Sequence, residues 1–157
     1  MLPEEEVVTL LKEKGFTVTT AESCTGGLLA GRLLNVPGAS AVYNEGYITY
    51  SNEAKRKLLG VPEETLRLHG AVSSETAARM AAGAAEAAEA NAALAVTGIA
   101  GPDGGTKEKP VGLVYIGCCV NGKVRTEEFH FAGSRETNRN EAVVCAIAML
   151  REELLCM

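Results

Sequence analysis

One serine lies where a predicted strand gives way to a predicted helix, and this position is the first candidate for chemistry. The residues before it, Phe16–Thr20, are β-branched or aromatic, while those after it, Leu28–Leu34, carry leucines at helical spacing. The free N–H groups of a helix N-terminus create positive potential for an oxyanion or a phosphate. Ser23 is therefore a candidate nucleophile, and an N-cap of the helix is its plain alternative. Cys24 is a rival nucleophile, since the same helix terminus could activate a thiol.

Lys55 is the candidate base for this nucleophile. It lies three and four residues before Leu58 and Leu59 and so shares their face of a predicted short helix, whereas Lys57 does not. Burial disfavours the charged form of a lysine, and a pKa near about 7–8 would let it act as a base at neutral pH. The alternative is a solvated run of charges on a helix surface.

A glycine-rich loop, Thr97–Thr106, follows the most apolar predicted strand. Bare backbone lets a ligand approach closely, and exposed N–H groups can bind an anion. The loop lacks the spacing of a P-loop, so nucleoside-triphosphate transfer is not supported; an ordered turn without a ligand is the alternative. The predicted oxyanion and substrate-binding residues of the serine segment and this loop are Cys24, Thr25, Gly26, Gly27, Thr97, Gly98, Gly101, Gly104 and Gly105.

Three cations are candidates for holding a phosphate. Arg135 and Arg139 lie four residues apart at the start of the last predicted helix, and hence on one face of it. Cations are unfavourable at a helix N-terminus, so this placement suggests an anionic partner. Salt bridges with Glu136 and Glu141 are the alternative. Lys109, which follows the glycine loop, is the third candidate.

Composition limits the possible functions. With 157 residues, 46% of them hydrophobic, the chain is predicted to form one domain spanning residues 1–157. A net charge of -5 argues against sequence-independent nucleic-acid binding, and no apolar run approaches membrane-spanning length. The acidic N-terminus resembles neither a signal peptide nor a transit peptide, and the five cysteines lack zinc-site spacing. We therefore expect a cytoplasmic protein with reduced thiols, no cofactor and no metal.

The order of the predicted elements indicates the fold class. Ala41–Tyr50 is predicted as a strand, Asn121-Gly122 as a hairpin turn and Glu136–Leu155 as the last helix. We predict a three-layer α/β/α domain whose mixed, mainly parallel sheet carries an antiparallel hairpin. The ligand site is expected at the carboxyl ends of the strands, where the serine segment, the turn Tyr50–Lys55 and the glycine loop meet.

Five segments, in this order, resemble the CinA C-terminal domain family, and the resemblance extends over nearly the whole chain. They are Ala21-Glu22-Ser23-Cys24-Thr25-Gly26-Gly27, Thr49-Tyr50-Ser51-Asn52-Glu53-Ala54-Lys55, His69-Gly70-Ala71-Val72-Ser73, Thr97-Gly98-Ile99-Ala100-Gly101-Pro102-Asp103-Gly104-Gly105 and Lys109-Pro110-Val111-Gly112. The resemblance implies hydrolysis of nicotinamide mononucleotide to nicotinate mononucleotide and ammonia, by a serine and a lysine that fall here on Ser23 and Lys55. It also implies an active-site tyrosine at Tyr50, a small-molecule nucleotide as the substrate, and homo-oligomerisation.

Two positions depart from the family pattern. The family commonly has Gly-Asp-Arg where this chain has Gly133-Ser134-Arg135, and a threonine is common at the position of Leu113. These changes bear on substrate positioning and leave the proposed dyad untouched. The larger N-terminal domain of full CinA proteins does not accompany this sequence, so no pyrophosphatase activity is expected. Two alternatives stay open: a noncatalytic nucleotide-binding regulatory module, and a hydrolase of another small amide.

Overall fold

The computed structural model describes residues 1–157, and its five strands form one sheet. The strands are β1 (Val18–Glu22), β2 (Tyr47–Ile48), β3 (Ala92–Gly98), β4 (Leu113–Val120) and β5 (Lys123–His130). Across the sheet they follow the order β2-β1-β3-β4-β5, with β1 parallel to both β2 and β3 and the remaining pairs antiparallel. The predicted mixed sheet with an antiparallel hairpin is confirmed, and its parallel part consists of β1, β2 and β3.

Six α-helices cover the two faces of this sheet. They are α1 (Pro3–Lys14), α2 (Leu28–Leu34), α3 (Asn52–Leu59), α4 (Glu63–His69), α5 (Ser74–Ala88) and α6 (Arg135–Leu155), with a single 3₁₀ turn at Ala39–Ala41. Helices α1, α2 and α6 pack together on one face, while α3 and α4 contact α5 on the other. The three-layer α/β/α prediction is confirmed. None of the six helices combines the length and the apolar character needed to cross a membrane.

Strand β3 is buried on both faces, so its consecutive side chains belong to different cores. Leu94 and Val96 pack in the larger core with α1, α2 and α6, whereas Ala93 and Ala95 pack in the smaller core with α5. The alanines leave room for the alanine-rich α5 to lie close to the sheet. With both faces covered, β3 is a rigid support for the loop that follows its carboxyl end.

The segment predicted as a strand over Ala41–Tyr50 is mostly irregular, and this prediction is wrong in extent. Only Tyr47–Ile48 pairs with β1 as a strand. A side-chain contact helps to hold the rest: the Tyr43 and Thr20 hydroxyls form a hydrogen bond of 2.8 Å. Outside that strand, the segment pairs with β1 only through an isolated bridge between Tyr43 and Val18.

The turn between β4 and β5 has the predicted form. Asn121 and Gly122 adopt φ angles of 50° and 83°, both in the left-handed region, as a two-residue hairpin turn of this type requires. Val120 and Lys123 are directly paired across it. The local Asn-Gly signal was therefore sufficient to predict this part of the fold.

Candidate active site

Ser23 lies at the carboxyl end of β1, in the turn that leads to α2. Its N–H donates to the Val96 carbonyl oxygen at 2.9 Å, which extends the pairing of β1 with β3 and fixes the serine backbone. The side chain is buried, with 8% of its residue surface exposed. The predicted change from strand to helix at this position is confirmed, and the serine follows a strand that pairs on both edges.

The N-terminus of α2 is capped by Glu22, so the interpretation of Ser23 as the helix cap is wrong. The Glu22 Oε1 atom accepts hydrogen bonds from the N–H groups of Gly27 at 3.2 Å and Leu29 at 2.8 Å, and Oε2 accepts from Ala30 at 3.0 Å. The carboxylate is fully buried. The positive end of α2 is therefore compensated by a carboxylate of the protein. The sequence analysis missed this role of Glu22; what marks the residue in the sequence is that it is an acid at the end of a predicted strand, directly before Ser23.

Two of the four backbone donors predicted for an oxyanion remain free. The Gly26 N–H donates to the Ser23 carbonyl oxygen at 3.1 Å, and the Gly27 N–H is held by Glu22. The N–H groups of Cys24 and Thr25 have no acceptor within the protein. These two unpartnered groups follow the serine in the chain and are the candidate oxyanion donors of the turn. Cys24 is 6% exposed, whereas Thr25 is fully buried.

Lys55 is buried and points at Ser23. It lies in the first turn of α3, which begins where the Ser51 hydroxyl caps the Ala54 N–H at 3.0 Å. The residue is 1% exposed, and its Nζ atom lies 3.0 Å from the Ser23 Oγ atom. Burial lowers the pKa of Lys55 from 10.5 to about 8 because the charged form loses its hydration. About a tenth of the Lys55 side chains are therefore neutral at pH 7, and about half at pH 8.

Two backbone carbonyls fix the direction of the Lys55 amine. Nζ donates to the Thr49 carbonyl oxygen at 2.7 Å and to that of Tyr50 at 3.5 Å. A neutral amine has two N–H groups and one lone pair, so occupying both N–H groups in this way directs the lone pair toward the Ser23 hydroxyl. The arrangement can accept a proton from serine and can return it as an ammonium N–H.

Cys24 is adjacent to this pair but is a poor nucleophile. Burial raises the pKa of the Cys24 thiol to about 11, so the thiol stays protonated at neutral pH. The environment therefore opposes the activation that a helix N-terminus was expected to provide, because the positive end of α2 already faces Glu22.

We expect Cys24→Ala to lower the catalytic rate by no more than about tenfold, since it removes a small buried side chain and keeps the backbone donor. The measurement is the steady-state rate, at pH 8, of ammonia release from nicotinamide mononucleotide, the substrate that the family resemblance implies. Loss of all activity, with the fold intact by circular dichroism, would contradict the choice of serine over cysteine.

A pocket of about 210 Å³ contains the serine and the lysine in its wall. It is lined by Ser23, Cys24, Tyr50, Lys55, Ala71, Val72, Thr97, Gly98, Ala100 and Arg135. The Tyr50 side chain is 64% exposed and stands at the rim. Of the predicted loop residues, Thr97 and Gly98 line the pocket while Gly101, Gly104 and Gly105 lie outside its wall.

The three predicted phosphate ligands lie at different places. Arg135 lines the pocket, and its guanidinium donates to the Gly101 carbonyl oxygen at 2.9 Å and to the Tyr50 hydroxyl at 3.3 Å. The Lys109 ammonium donates to the His69 carbonyl oxygen at 2.6 Å. Arg139 donates to backbone carbonyls of the serine turn and does not line the pocket. Only Arg135 therefore presents its charge to the pocket.

Asn138 is a further residue that the sequence analysis missed. It is buried in the first turns of α6, where its Nδ2 atom donates to the Ala100 carbonyl oxygen at 3.0 Å. Its side chain also exchanges hydrogen bonds with the backbone of Gly133, at 3.0 and 3.2 Å. Asn138 thus ties the glycine loop to the last helix. In the sequence, Asn138 stands out only as a polar residue four positions before Ala142, on the otherwise apolar stripe of the last helix.

No group of three or more His, Cys, Asp or Glu side chains is arranged to hold a metal ion. The five cysteines form no disulfide. The polar side chains in the pocket wall are those of Ser23, Cys24, Tyr50, Lys55, Thr97 and Arg135.

Comparison with known proteins places this geometry in a family context. Residues 2–154 match the model of the CinA C-terminal domain. A CinA-like protein of Kosmotoga olearia is 55% identical over 152 residues, which are 97% of this chain and 37% of the relative. The chain spans 37% of the length of the first curated relatives that it matches.

Two solved structures have closely similar folds. A competence-damaged protein (CinA) superfamily protein of Klebsiella pneumoniae superimposes with a TM-score of 0.95 at 39% identity, covering 99% of this chain and 97% of the other. The competence/damage inducible protein CihA of Agrobacterium tumefaciens gives a TM-score of 0.90 at 47% identity, with coverages of 96% and 94%.

Proposed function

This chain belongs to the CinA C-terminal domain family, and from this premise we propose that it hydrolyses the carboxamide of nicotinamide mononucleotide to nicotinate mononucleotide and ammonia. The observation that carries the proposal is the buried contact of 3.0 Å between Lys55 Nζ and Ser23 Oγ. A lysine with a pKa of about 8 beside a serine is a nucleophile and base pair of the kind that acyl transfer requires.

In the acylation step, neutral Lys55 accepts the Ser23 hydroxyl proton while Oγ attacks the carboxamide carbon. The carbonyl oxygen becomes an oxyanion, and the N–H groups of Cys24 and Thr25 stabilise it. The lysine ammonium then protonates the amide nitrogen, the C–N bond breaks and ammonia leaves. The product of this step is an acyl ester on Ser23, with Lys55 neutral again.

In the deacylation step, water takes the place vacated by ammonia. Lys55 accepts a proton from the water as its oxygen attacks the ester carbon, and the same two N–H groups stabilise the second oxyanion. The lysine returns the proton to Ser23 Oγ as the ester bond breaks, and the carboxylate product leaves. One lysine serves as base and acid in both steps, which is the logic of a serine hydrolase that lacks histidine.

The pocket supports a substrate whose amide end alone is enclosed. Its volume of about 210 Å³ lies below the roughly 300–1,000 Å³ of pockets that enclose whole drug-sized ligands. Ala71, Val72 and Ala100 give part of its wall the apolar character that suits an aromatic ring. The rest of a nucleotide would extend past Tyr50 toward Arg135, the one candidate cation in the wall, where a phosphate would meet a guanidinium.

The test of the proposed activity is incubation of the purified protein with nicotinamide mononucleotide, with ammonia and nicotinate mononucleotide both quantified. Stoichiometric release of the two products is the expected result. Binding without turnover would favour the noncatalytic regulatory module. Release of ammonia from other small amides, but not from this nucleotide, would favour a hydrolase of different specificity.

The pH dependence of kcat/KM is a second prediction, because only neutral Lys55 can accept the serine proton. We expect kcat/KM to fall about tenfold per pH unit below pH 7 and to reach a plateau above pH 9, with a midpoint near the Lys55 pKa of about 8. A series of initial rates from pH 6 to pH 10 measures it. A profile that is flat, or that falls with rising pH, would exclude a lysine base.

A further inference from the structure

Arg139 lies against the turn that carries the nucleophile. Its Nε atom donates to the Cys24 carbonyl oxygen at 2.8 Å, and its Nη2 atom donates to the Thr25 carbonyl oxygen at 3.2 Å. The side chain makes no salt bridge with a carboxylate. The charge of this guanidinium is therefore directed at two peptide groups of the serine turn.

One of these peptide groups also carries an N–H group that has no acceptor. The Cys24 carbonyl and the Thr25 N–H belong to the same amide, and the Thr25 N–H has no acceptor within the protein. A strong hydrogen bond to an amide oxygen polarises the amide and strengthens donation by its N–H, since hydrogen bonds in a chain reinforce one another. Charge on the donor makes the effect larger.

Gly26, in the same turn, leaves space for the Arg139 side chain. Gly26 adopts a left-handed φ of 54°, and a Cβ atom at that position would lie 3.3 Å from Arg139 Nη2. Glu22 holds the N–H groups on the other side of the turn. Glu22 accepts hydrogen bonds from one set of N–H groups and Arg139 donates to two carbonyls, while the N–H groups of Cys24 and Thr25 have no acceptor in the protein. Cys24 lines the pocket, and Thr25, directly after it, is fully buried, so its N–H is a buried donor without a partner.

We propose that Arg139 is a positioning residue of the oxyanion site: it orients and polarises the peptide between Cys24 and Thr25, and it does not bind the phosphate of the substrate. The inference rests on the proposed serine mechanism, and it changes the role that helix position alone suggested for this arginine. Arg135, one helical turn earlier, keeps the role of the phosphate ligand.

The first test measures the reactivity of Ser23 without any nucleotide. With a small fluorophosphonate probe, Ser23 Oγ forms a bond to phosphorus, fluoride leaves and Lys55 takes the serine proton. The phosphonyl oxygen of the probe needs the same two N–H donors as the amide oxyanion. We expect Arg139→Gln to slow this labelling by at least about tenfold, less than the roughly 100- to 1,000-fold cost of losing an oxyanion donor outright. Arg139→Lys is expected to restore part of the rate. The exposed Arg79 on α5 provides the control variant Arg79→Gln, with an unchanged rate.

The second test separates positioning from phosphate binding. For Arg139→Gln we expect kcat to fall by the same factor for nicotinamide mononucleotide and for nicotinamide riboside, which lacks the phosphate, with KM for each within about twofold of wild type. For Arg135→Gln we expect the opposite, a raised KM for the nucleotide alone. A raised KM for the nucleotide alone in Arg139→Gln would overturn the inference.

The outcomes also separate this inference from the proposed function. If the wild type hydrolyses neither compound but its Ser23 is labelled, the proposed substrate is wrong and the labelling rates still decide the role of Arg139. Equal labelling of wild type and Arg139→Gln overturns the inference alone. Absence of labelling in the wild type overturns both. If Arg139→Gln fails to fold, Arg139→Lys serves as the test variant. The positioning role would be rejected if Arg139→Lys were labelled as fast as the wild type and showed a raised KM for the nucleotide alone.

Discussion

Ser23→Ala is expected to lower kcat for amide hydrolysis by about 10⁴- to 10⁶-fold, because it removes the only oxygen placed to attack the carboxamide carbon. The substrate would still bind, since the pocket wall, Arg135 and the backbone donors remain. We therefore expect a KM or a dissociation constant close to that of the wild type. Ammonia release measures the rate, and isothermal titration measures the binding.

The matched control for this variant is Ser74→Ala. Ser74 lies at the start of α5, and its hydroxyl bonds only to the neighbouring Glu75, at 3.2 Å. Its removal should leave kcat unchanged. If Ser23→Ala retained more than about a hundredth of the wild-type rate, the serine would not be the nucleophile, because removing an attacking atom costs far more than this.

Lys55→Met is expected to lower kcat/KM by about 10²- to 10⁴-fold, the usual contribution of a general base, while changing the pH dependence of stability. Methionine has a similar length and volume and can occupy the buried site without a charge. The residual activity should no longer rise with pH between 6 and 9. Initial rates and chemical denaturation at several pH values, measured on the same preparation, check both parts.

The sign of the stability effect follows from the direction of the pKa shift. The Lys55 pKa is about 8 in the folded protein, against 10.5 as its ordinary value. Between these pH values the unfolded chain binds more protons than the folded protein, so the free energy of unfolding rises with pH. The full difference is about 3 kcal/mol, and about 2 kcal/mol of it develops between pH 7 and pH 9.5. The wild type should show this gain relative to Lys55→Met.

Lys57→Met is the control for both readouts. Lys57 is exposed on the same helix, two residues further on. Its replacement should preserve the rate, the pH profile and the pH dependence of stability. A difference of less than about 0.5 kcal/mol between wild type and Lys55→Met, across the range from pH 7 to pH 9.5, would mean that the folded protein does not lower the pKa of this lysine.

Local patterns predicted the elements whose signals are local. The Asn121-Gly122 turn depends on two adjacent residues whose types favour the left-handed region. The helical spacing of Lys55 with Leu59 correctly predicted a buried lysine, because both residues lie on the face of α3 that packs against the protein. The same argument placed Leu58 on this face, and that part was wrong, since Leu58 is 45% exposed. The fold class followed from the order of these elements.

The missed features depend on contacts between distant segments. Glu22 caps a helix from the end of a strand, outside the three-residue spacing of an ordinary capping box. The bonds of Asn138 to Ala100 and of Arg139 to Cys24 join the last helix to loops far away in the chain. No single-sequence pattern encodes such partners, so the sequence alone placed Arg139 with a phosphate and left Asn138 unremarked.

The hydrogen bond between Arg139 and Cys24 links residues 115 positions apart, whereas Lys55 and Ser23 are only 32 apart. Contacts across longer stretches of chain cost more entropy to close, so we expect the serine and lysine to meet before the last helix docks. At a synthesis rate of about 5–20 residues per second, the ribosome adds the arginine some 6–23 s after the cysteine. Because Val96 of β3 holds the Ser23 backbone, the nucleophile and base are fixed only after β3 has been made, and Arg139 follows Val96 after about 2–9 s of synthesis. Full reactivity of the serine would be acquired only when translation of the last helix is complete.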